Sequence, residues 1–316
     1  MAFWDRLLDL IERATDPSPT LNQERCLLER YAVGGCGDCL EACPSGAVAL
    51  KNAHITIDST LCTGCGICTQ ACPSLALTFP PRPQQEALKR GGGAIRCSQA
   101  PGQGEEVQCL AKLTPAVLAL AALREGQVNL SRGECVSCPV GGAGALNKIQ
   151  DLLGKAQALA PGREFILSQE PPPERALPRR EFFRGAWSAG MRTAALALPE
   201  LSPEWSQPEP NFPAELVLRA RALRHAAPEA QIASVVVDKG CTLCPVCTNV
   251  CPTGAIKQEP AGEDLVLRLD PLACTGCNAC VRSCPPQVMR SLPLTRDSAL
   301  AGELELYRGR PPWRVI

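Results

Sequence analysis

Apolar positions recur at helical spacing in some stretches of this chain and fall into short runs in others. Phe3, Trp4, Leu7, Leu8 and Ile11 share one face of an amphipathic helix over residues 1–14. That face either packs on the chain's own first domain or docks onto a partner. Pro80, Pro81 and Pro83 break the chain and predict a linker. Beyond them, Ala94–Cys97, Gln127–Leu130 and Phe165–Leu167 read as short strands, with helices over Thr114–Arg124 and Ala145–Ala160 between them. That alternation predicts a small α/β unit. Gly141, Gly142 and Gly144 read as a tight turn before the second helix. Residues 171–230 are rich in proline and arginine, with one helix over Ala214–His225, and predict a long connection wrapped over a neighbour. From Ile232 a strand, a cysteine motif, a hairpin and a second motif follow in the order already met near the N-terminus. The chain therefore holds an internal repeat, with residues 26–80 and 232–290 as its copies.

The longest apolar run, Ala116–Leu123, is far short of the ~18–20 residues that cross a bilayer. Asp5, Asp9 and Glu12 interrupt the N-terminus where a signal peptide needs an apolar core. The expectation is a soluble, cytoplasmic chain, free or attached to a membrane complex through a partner. Its 316 residues suggest two or three domains, and 45% apolar content is enough to bury real cores. Lysine and arginine balance aspartate and glutamate at 32 each, which argues against nucleic acid or an anionic membrane as the main partner.

Twenty cysteines accompany only two histidines, His54 and His225, which are isolated and read as structural or exposed. Most of the cysteines sit in tight Cys-x-x-Cys clusters, a spacing that suits a shared metal centre better than long-range disulfides. Three runs read C-x-x-C-x-x-C-x-x-x-C-P: Cys62, Cys65, Cys68, Cys72; Cys241, Cys244, Cys247, Cys251; and Cys274, Cys277, Cys280, Cys284. Thiolates are soft donors for iron–sulfur clusters. Two-residue spacers let three sulfurs converge on one cluster, while the fourth cysteine, held by its proline, points to another. Structural zinc usually takes two pairs of ligands, not a triplet with a distant Cys-Pro.

These runs resemble bacterial-type two-cluster ferredoxins, over about 110 to 120 residues in two blocks. The resemblance implies [4Fe–4S] clusters with crossed ligation. Cys241, Cys244, Cys247 and Cys284 would hold one, and Cys274, Cys277, Cys280 and Cys251 the next. Cys62, Cys65, Cys68 and Cys43 would hold a third. The remaining motif departs from the family, because Cys36, Cys39 and Cys43 are in place but Val33 stands at the first position. Either Cys26 loops in beside Cys36, Cys39 and Cys72, helped by Gly34 and Gly35, or that site holds only three irons.

Cys97, Cys109, Cys135 and Cys138 remain, all expected near strand or helix ends of the α/β unit, where ligands usually sit. The stretch VQCLAKLTPAVLALAALREGQVNLSRGECVSC resembles the delta subunit of methyl-viologen-reducing hydrogenases, which delivers electrons to heterodisulfide reductase. Its spacing is also similar to thioredoxin-like [2Fe–2S] ferredoxins. A fifth cluster, [4Fe–4S] or [2Fe–2S], structural zinc and free redox thiols are all readings of these four residues.

Pro245 removes a backbone N–H from the Cys244–Cys247 spacer. It either lowers the potential of that cluster or merely stiffens the loop. Arg179-Arg180-Glu181-Phe182-Phe183 has the look of a twin-arginine signal but lies far from the N-terminus. With Arg175 and Arg184 it is a solvated face or a docking patch for an acidic partner. There is no G-x-G-x-x-G and no G-x-x-x-x-G-K-[ST], and no acid–base constellation. The fold class expected is α+β: a two-cluster ferredoxin-like domain with an N-terminal helix (1–82), a small α/β iron–sulfur domain (90–170), a linker (171–230) and a second ferredoxin-like domain (231–316). The function expected is an electron-carrier subunit rather than an enzyme. Family analogy points to a hydrogenase, a molybdenum or tungsten oxidoreductase, or a heterodisulfide-reductase-like complex as partner. The rivals are an oxidoreductase using Cys135 and Cys138 as a redox-active pair, and a cluster-assembly scaffold.

Overall fold

A computed structural model describes residues 17–30, 35–171 and 212–311. The helix expected over residues 1–14, Val33, Gly34 and the arginines from Arg175 to Arg184 lie outside the described residues.

The N-terminal unit opens with β1 (Thr20–Leu21) and one turn of 3-10 helix, Gln23–Arg25, capped by the Asn22 side chain. Then follow α1 (Asp38–Ala42), β2 (Val48–Lys51), β3 (His54–Ile57), α2 (Ile67–Ala71) and β4 (Leu77–Thr78). Strands β2 and β3 form an antiparallel hairpin with Lys51 opposite His54. Its two-residue turn, Asn52–Ala53, has φ of 51° and 64°, the left-handed pair a tight hairpin needs. Strand β4 returns antiparallel beside β1, pairing Leu21 with Leu77.

Helix α3 (Pro81–Arg90) corrects the linker expected at Pro80, Pro81 and Pro83. Pro81 occupies its first position, where the fixed φ is already helical and the missing N–H has no intrahelical partner to lose.

The middle unit contains β5 (Ala94–Cys97), β6 (Glu106–Val107), α4 (Pro115–Glu125), β7 (Gln127–Ser131), α5 (Ala145–Leu159) and β8 (Glu164–Ser168). Its four strands are parallel in the order β6-β5-β7-β8. Thr114 caps α4 through its hydroxyl, which accepts from Val117 N, and Gly126 at φ 90° ends it. Gly142 at φ 62° makes the turn before α5. Helix α6 (Ala214–His225) lies along α4, so the linker's one expected helix belongs to this core. Ile95, Leu118, Leu130, Ile149, Leu152, Leu218 and Leu223 fill that core. Each side chain buried there contributes about 1.5–3 kcal/mol.

The C-terminal unit begins with β9 (Gln231–Ile232) and β10 (Val235–Val237). It continues through α7 (Val246–Val250), β11 (Ile256–Ala261), β12 (Asp264–Leu269), α8 (Ala279–Arg282), β13 (Met289–Ser291), β14 (Leu294–Thr295), α9 (Arg296–Leu300) and β15 (Leu304–Gly309). The repeat is visible in three dimensions: β10 pairs with β13 as β1 does with β4, and β11–β12 is the hairpin matching β2–β3. Here β15 adds a third strand to that hairpin. Ile232 and Ala299 pack into the middle core, while Leu27 packs on Ala279 and joins the two ferredoxin-like units. Among the described residues no helix is long and apolar enough to cross a membrane.

Candidate metal centres

Each repeated unit uses one local design. A loop with left-handed residues wraps three cysteines, a short helix follows, and a Cys-Pro corner sends the fourth thiol elsewhere. Gly66 shows why the loop needs glycine: its φ is 80°, and an added Cβ would stand 2.5 Å from Lys112 Cα. At the matching place in the second copy Asn278 takes the same conformation at φ 59°, a residue type that tolerates it.

All twenty cysteines lie in described residues, and none is in a disulfide. Cys43, Cys62, Cys65 and Cys68 line one small cavity of about 10 Å³. Cys251, Cys274, Cys277 and Cys280 line another of about 20 Å³. Cys97, Cys109, Cys135 and Cys138 line a third of about 10 Å³, with Gly133 N donating to Cys97 Sγ at 3.3 Å. Gly133 must lack a side chain because a Cβ would run into Gln99 O. Cys26, Cys36, Cys39 and Cys72 form a fourth set: each of the first three thiols interacts electrostatically with Cys72, and Cys39 also with Cys26 and Cys36. In the fifth, Cys241 interacts with Cys244 and Cys284, and Cys247 with Cys241 and Cys244. Among the described residues no three cysteine, histidine or carboxylate side chains meet as they would around a single metal ion.

The sets also neighbour one another. Cys65, Cys97 and Cys109 share one apolar core, and Cys109 interacts with Cys65. Cys39 and Cys68 share the N-terminal core and interact. Cys36 and Cys277 both pack against the Leu27–Ala279 contact. Cys247 and Cys280 share the C-terminal core and interact.

Burial, followed by mutual repulsion, pushes the Cys39 and Cys247 thiols up to about 12. Burial also raises Cys109 to about 12 and Cys274 to about 11. Cys68 and Cys280 are raised further still, for the same reason. Cys43 runs the other way: burial raises it, but hydrogen bonds with Val48, Ser45 and Ala47 outweigh that and lower it. Buried thiols of this kind ionise when a cation arrives, so loading must release protons.

The donors fit iron–sulfur clusters in two further respects. Soft sulfur is the only ligand type offered by the sets, and buried donors beside the motifs await an anion. Thr275 Oγ1, Ser283 Oγ and the Nε and Nη1 of Arg25 have no hydrogen-bond partner among the described residues. Arg25, next to Cys26, interacts with Cys72. Three Cys-Pro corners carry a hydroxyl two residues on: Ser45 at 3.7 Å from Cys43 Sγ, Ser74 at 3.7 Å from Cys72 and Thr253 at 3.8 Å from Cys251. Cys284 is followed by Pro285 and Pro286 instead. Cysteine spacing alone does not reveal these hydroxyls, although the run Cys-Pro-Ser/Thr announces them. Arg25 leaves no such signal, because its place depends on packing.

Comparison with curated proteins and with solved structures found no match. Residues 34–77 and 240–290 match the model of the 4Fe–4S dicluster domain. The chain thus carries a ferredoxin-type 4Fe–4S domain toward each end, the kind of domain that serves iron–sulfur electron transfer.

Proposed function

We propose that this chain is a multi-cluster electron-transfer subunit, with each of the five cysteine sets holding one cluster. Four would be [4Fe–4S], held by the Cys26, Cys62, Cys241 and Cys274 sets. The Cys97 set would hold a fifth, either [4Fe–4S] or [2Fe–2S]. Bound there, the clusters supply one-electron carriers; the chain binds them, insulates them and fixes their spacing. The observation that carries this reading is that the sets neighbour one another: Cys109 interacts with Cys65, Cys68 with Cys39 and Cys280 with Cys247, while Cys36 and Cys277 pack on the same Leu27–Ala279 pair. A line of sites with two ends suits a relay between a donor and an acceptor. The partner would be a redox subunit of a hydrogenase, a molybdenum or tungsten oxidoreductase, or a heterodisulfide-reductase-like complex, which an anaerobic pull-down would identify. A redox-active pair at Cys135 and Cys138 is disfavoured because both line one cavity with Cys97 and Cys109.

The test is iron and sulfide quantitation with EPR on the full chain, reconstituted anaerobically. About twenty irons are expected if all clusters are [4Fe–4S], and about eighteen if the Cys97 set holds [2Fe–2S]. A colourless protein that takes up no iron would overturn the reading.

A further inference from the structure

Arg219 belongs to no cysteine motif, yet its side chain ends at one. It sits on α6, only 8% exposed. Its Nη2 donates to Leu272 O at 2.8 Å and Cys274 O at 2.7 Å, with a longer contact to Pro271 O at 3.4 Å. Its Nε has no hydrogen-bond partner among the described residues. A guanidinium does not discharge by losing its proton, so this is a lasting buried charge.

Two carboxyls face it without forming an ion pair with it. The charged or titratable groups facing it are Cys274, Glu215 from its own helix and Asp270 from the end of β12. Glu215 directs Oε1 to Ala116 N at 2.8 Å, and burial makes its carboxyl reluctant to ionise. Asp270 spends Oδ1 on Leu272 N at 2.9 Å and Ala273 N at 3.3 Å. Arg219 makes no ion pair among the described residues. Burying a cation without a partner is unfavourable, and a neutral amide could satisfy the same carbonyls. A fixed positive charge beside a centre that gains negative charge on reduction gives the arrangement a purpose.

We propose that Arg219 is a positioning residue of the Cys274 set whose buried charge raises the reduction potential of the centre held there. This rests on the reading that Cys251, Cys274, Cys277 and Cys280 hold a cluster. One electron from an external reductant such as dithionite enters the centre, no bond breaks, and the guanidinium offsets the added charge. The reduced form is then favoured at a site inside the line of cysteine sets rather than at its end.

The experiment uses the full chain, reconstituted anaerobically as wild type, Arg219→Gln and Arg219→Lys. Iron and sulfide are counted first, then the clusters are titrated potentiometrically under EPR. The signal of the Cys274 set is identified by its change in Cys274→Ser. Arg219→Gln should load fully yet show at least a tenfold lower ratio of reduced to oxidised centre at a fixed potential, about 59 mV for one electron. Arg219→Lys, which keeps the charge, should restore the wild-type ratio. A loaded Arg219→Gln with unchanged potentials overturns the inference. Should Arg219→Gln not load, Arg219→Met, equally uncharged, is titrated in its place. A tenfold lower ratio there supports the role of charge, and an unchanged potential overturns it. A wild-type chain that takes up no iron would instead remove the underlying reading.

Discussion

The two ferredoxin-like units reach similar thiol arrangements from different starting material. In the C-terminal unit all eight cysteines come from two intact motifs. In the N-terminal unit Val33 breaks the first motif, and Cys26, delivered by the 3-10 turn Gln23–Arg25, joins Cys36, Cys39 and Cys72. What matters is where the sulfur ends, not the spacing that brings it there. The second contrast concerns backbone. Gly66 supplies left-handed geometry and permits close approach to Lys112, while Asn278 supplies the geometry and accepts a hydrogen bond from Ser291 Oγ at 2.6 Å. In the Cys241 loop, Leu243 is forced to φ 55° although buried, at a cost of about 1–2 kcal/mol. The third contrast is in donors to sulfur: Cys43, Cys72 and Cys251 have a hydroxyl neighbour, whereas Cys284 has Pro286 in that place.

The sharpest way to break the comparison is Cys26→Ala. Iron should fall by about one to about four per chain, as the cluster becomes a three-iron type or is lost. EPR of the C-terminal clusters should not change; an unaltered iron count would show that Cys26 is no ligand. Next in size is Gly66→Ala, which adds overpacking against Lys112 to left-handed strain and should destabilise the protein by about 3 kcal/mol. Asn278→Ala should cost about 1 kcal/mol, and anaerobic denaturation of both variants reads the difference.

Comparable to Gly66→Ala at its largest is a pH effect at the helix tying the C-terminal unit to the middle one. Burial pushes the Glu215 carboxyl up to about 7 from an ordinary 4.5. The folded state therefore holds this proton more tightly. The stability it contributes is complete below the unfolded value and is lost as pH rises through 7, by about 3 kcal/mol at most. Glu215→Gln should flatten that loss between about pH 4.5 and 7 in anaerobic thermal melts, and a slope equal to wild type would remove the assignment. The smallest expected effects are on potential. Pro245→Gly restores a backbone donor and Pro286→Ser a hydroxyl, and each should move one potential slightly upward in a redox titration. No movement in either would mean that Pro245 only stiffens its loop.

Much of this was legible in the chain itself, because ligand spacing and strand–helix alternation are local signals. The three intact motifs, the strand–helix alternation over residues 94–168 and the Ala214–His225 helix stand where those signals put them, whereas the parallel order of the strands comes from their pairing. Other features were hidden for identifiable reasons. Pro81 and Pro83 resemble a break, yet proline in a first helical turn loses nothing. The third strand of the C-terminal hairpin, Leu304–Gly309, follows from pairing with β12 across a long separation. Arg219 looks like any helical arginine until α6 is packed against the loop at Cys274. Cys26 was visible as an unexplained thiol, but its company depends on where a turn of chain folds back.

The contact of Leu27 with Ala279 has a consequence for evolution of the chain. One side of that seam is only a methyl group, so Leu27 reaches the second copy of the repeat across a single small side chain. On the proposed reading, every added carbon there would lengthen the gap between the Cys26 and Cys274 sets. Drift toward a bulkier residue at position 279 would throttle traffic without disturbing a single cysteine.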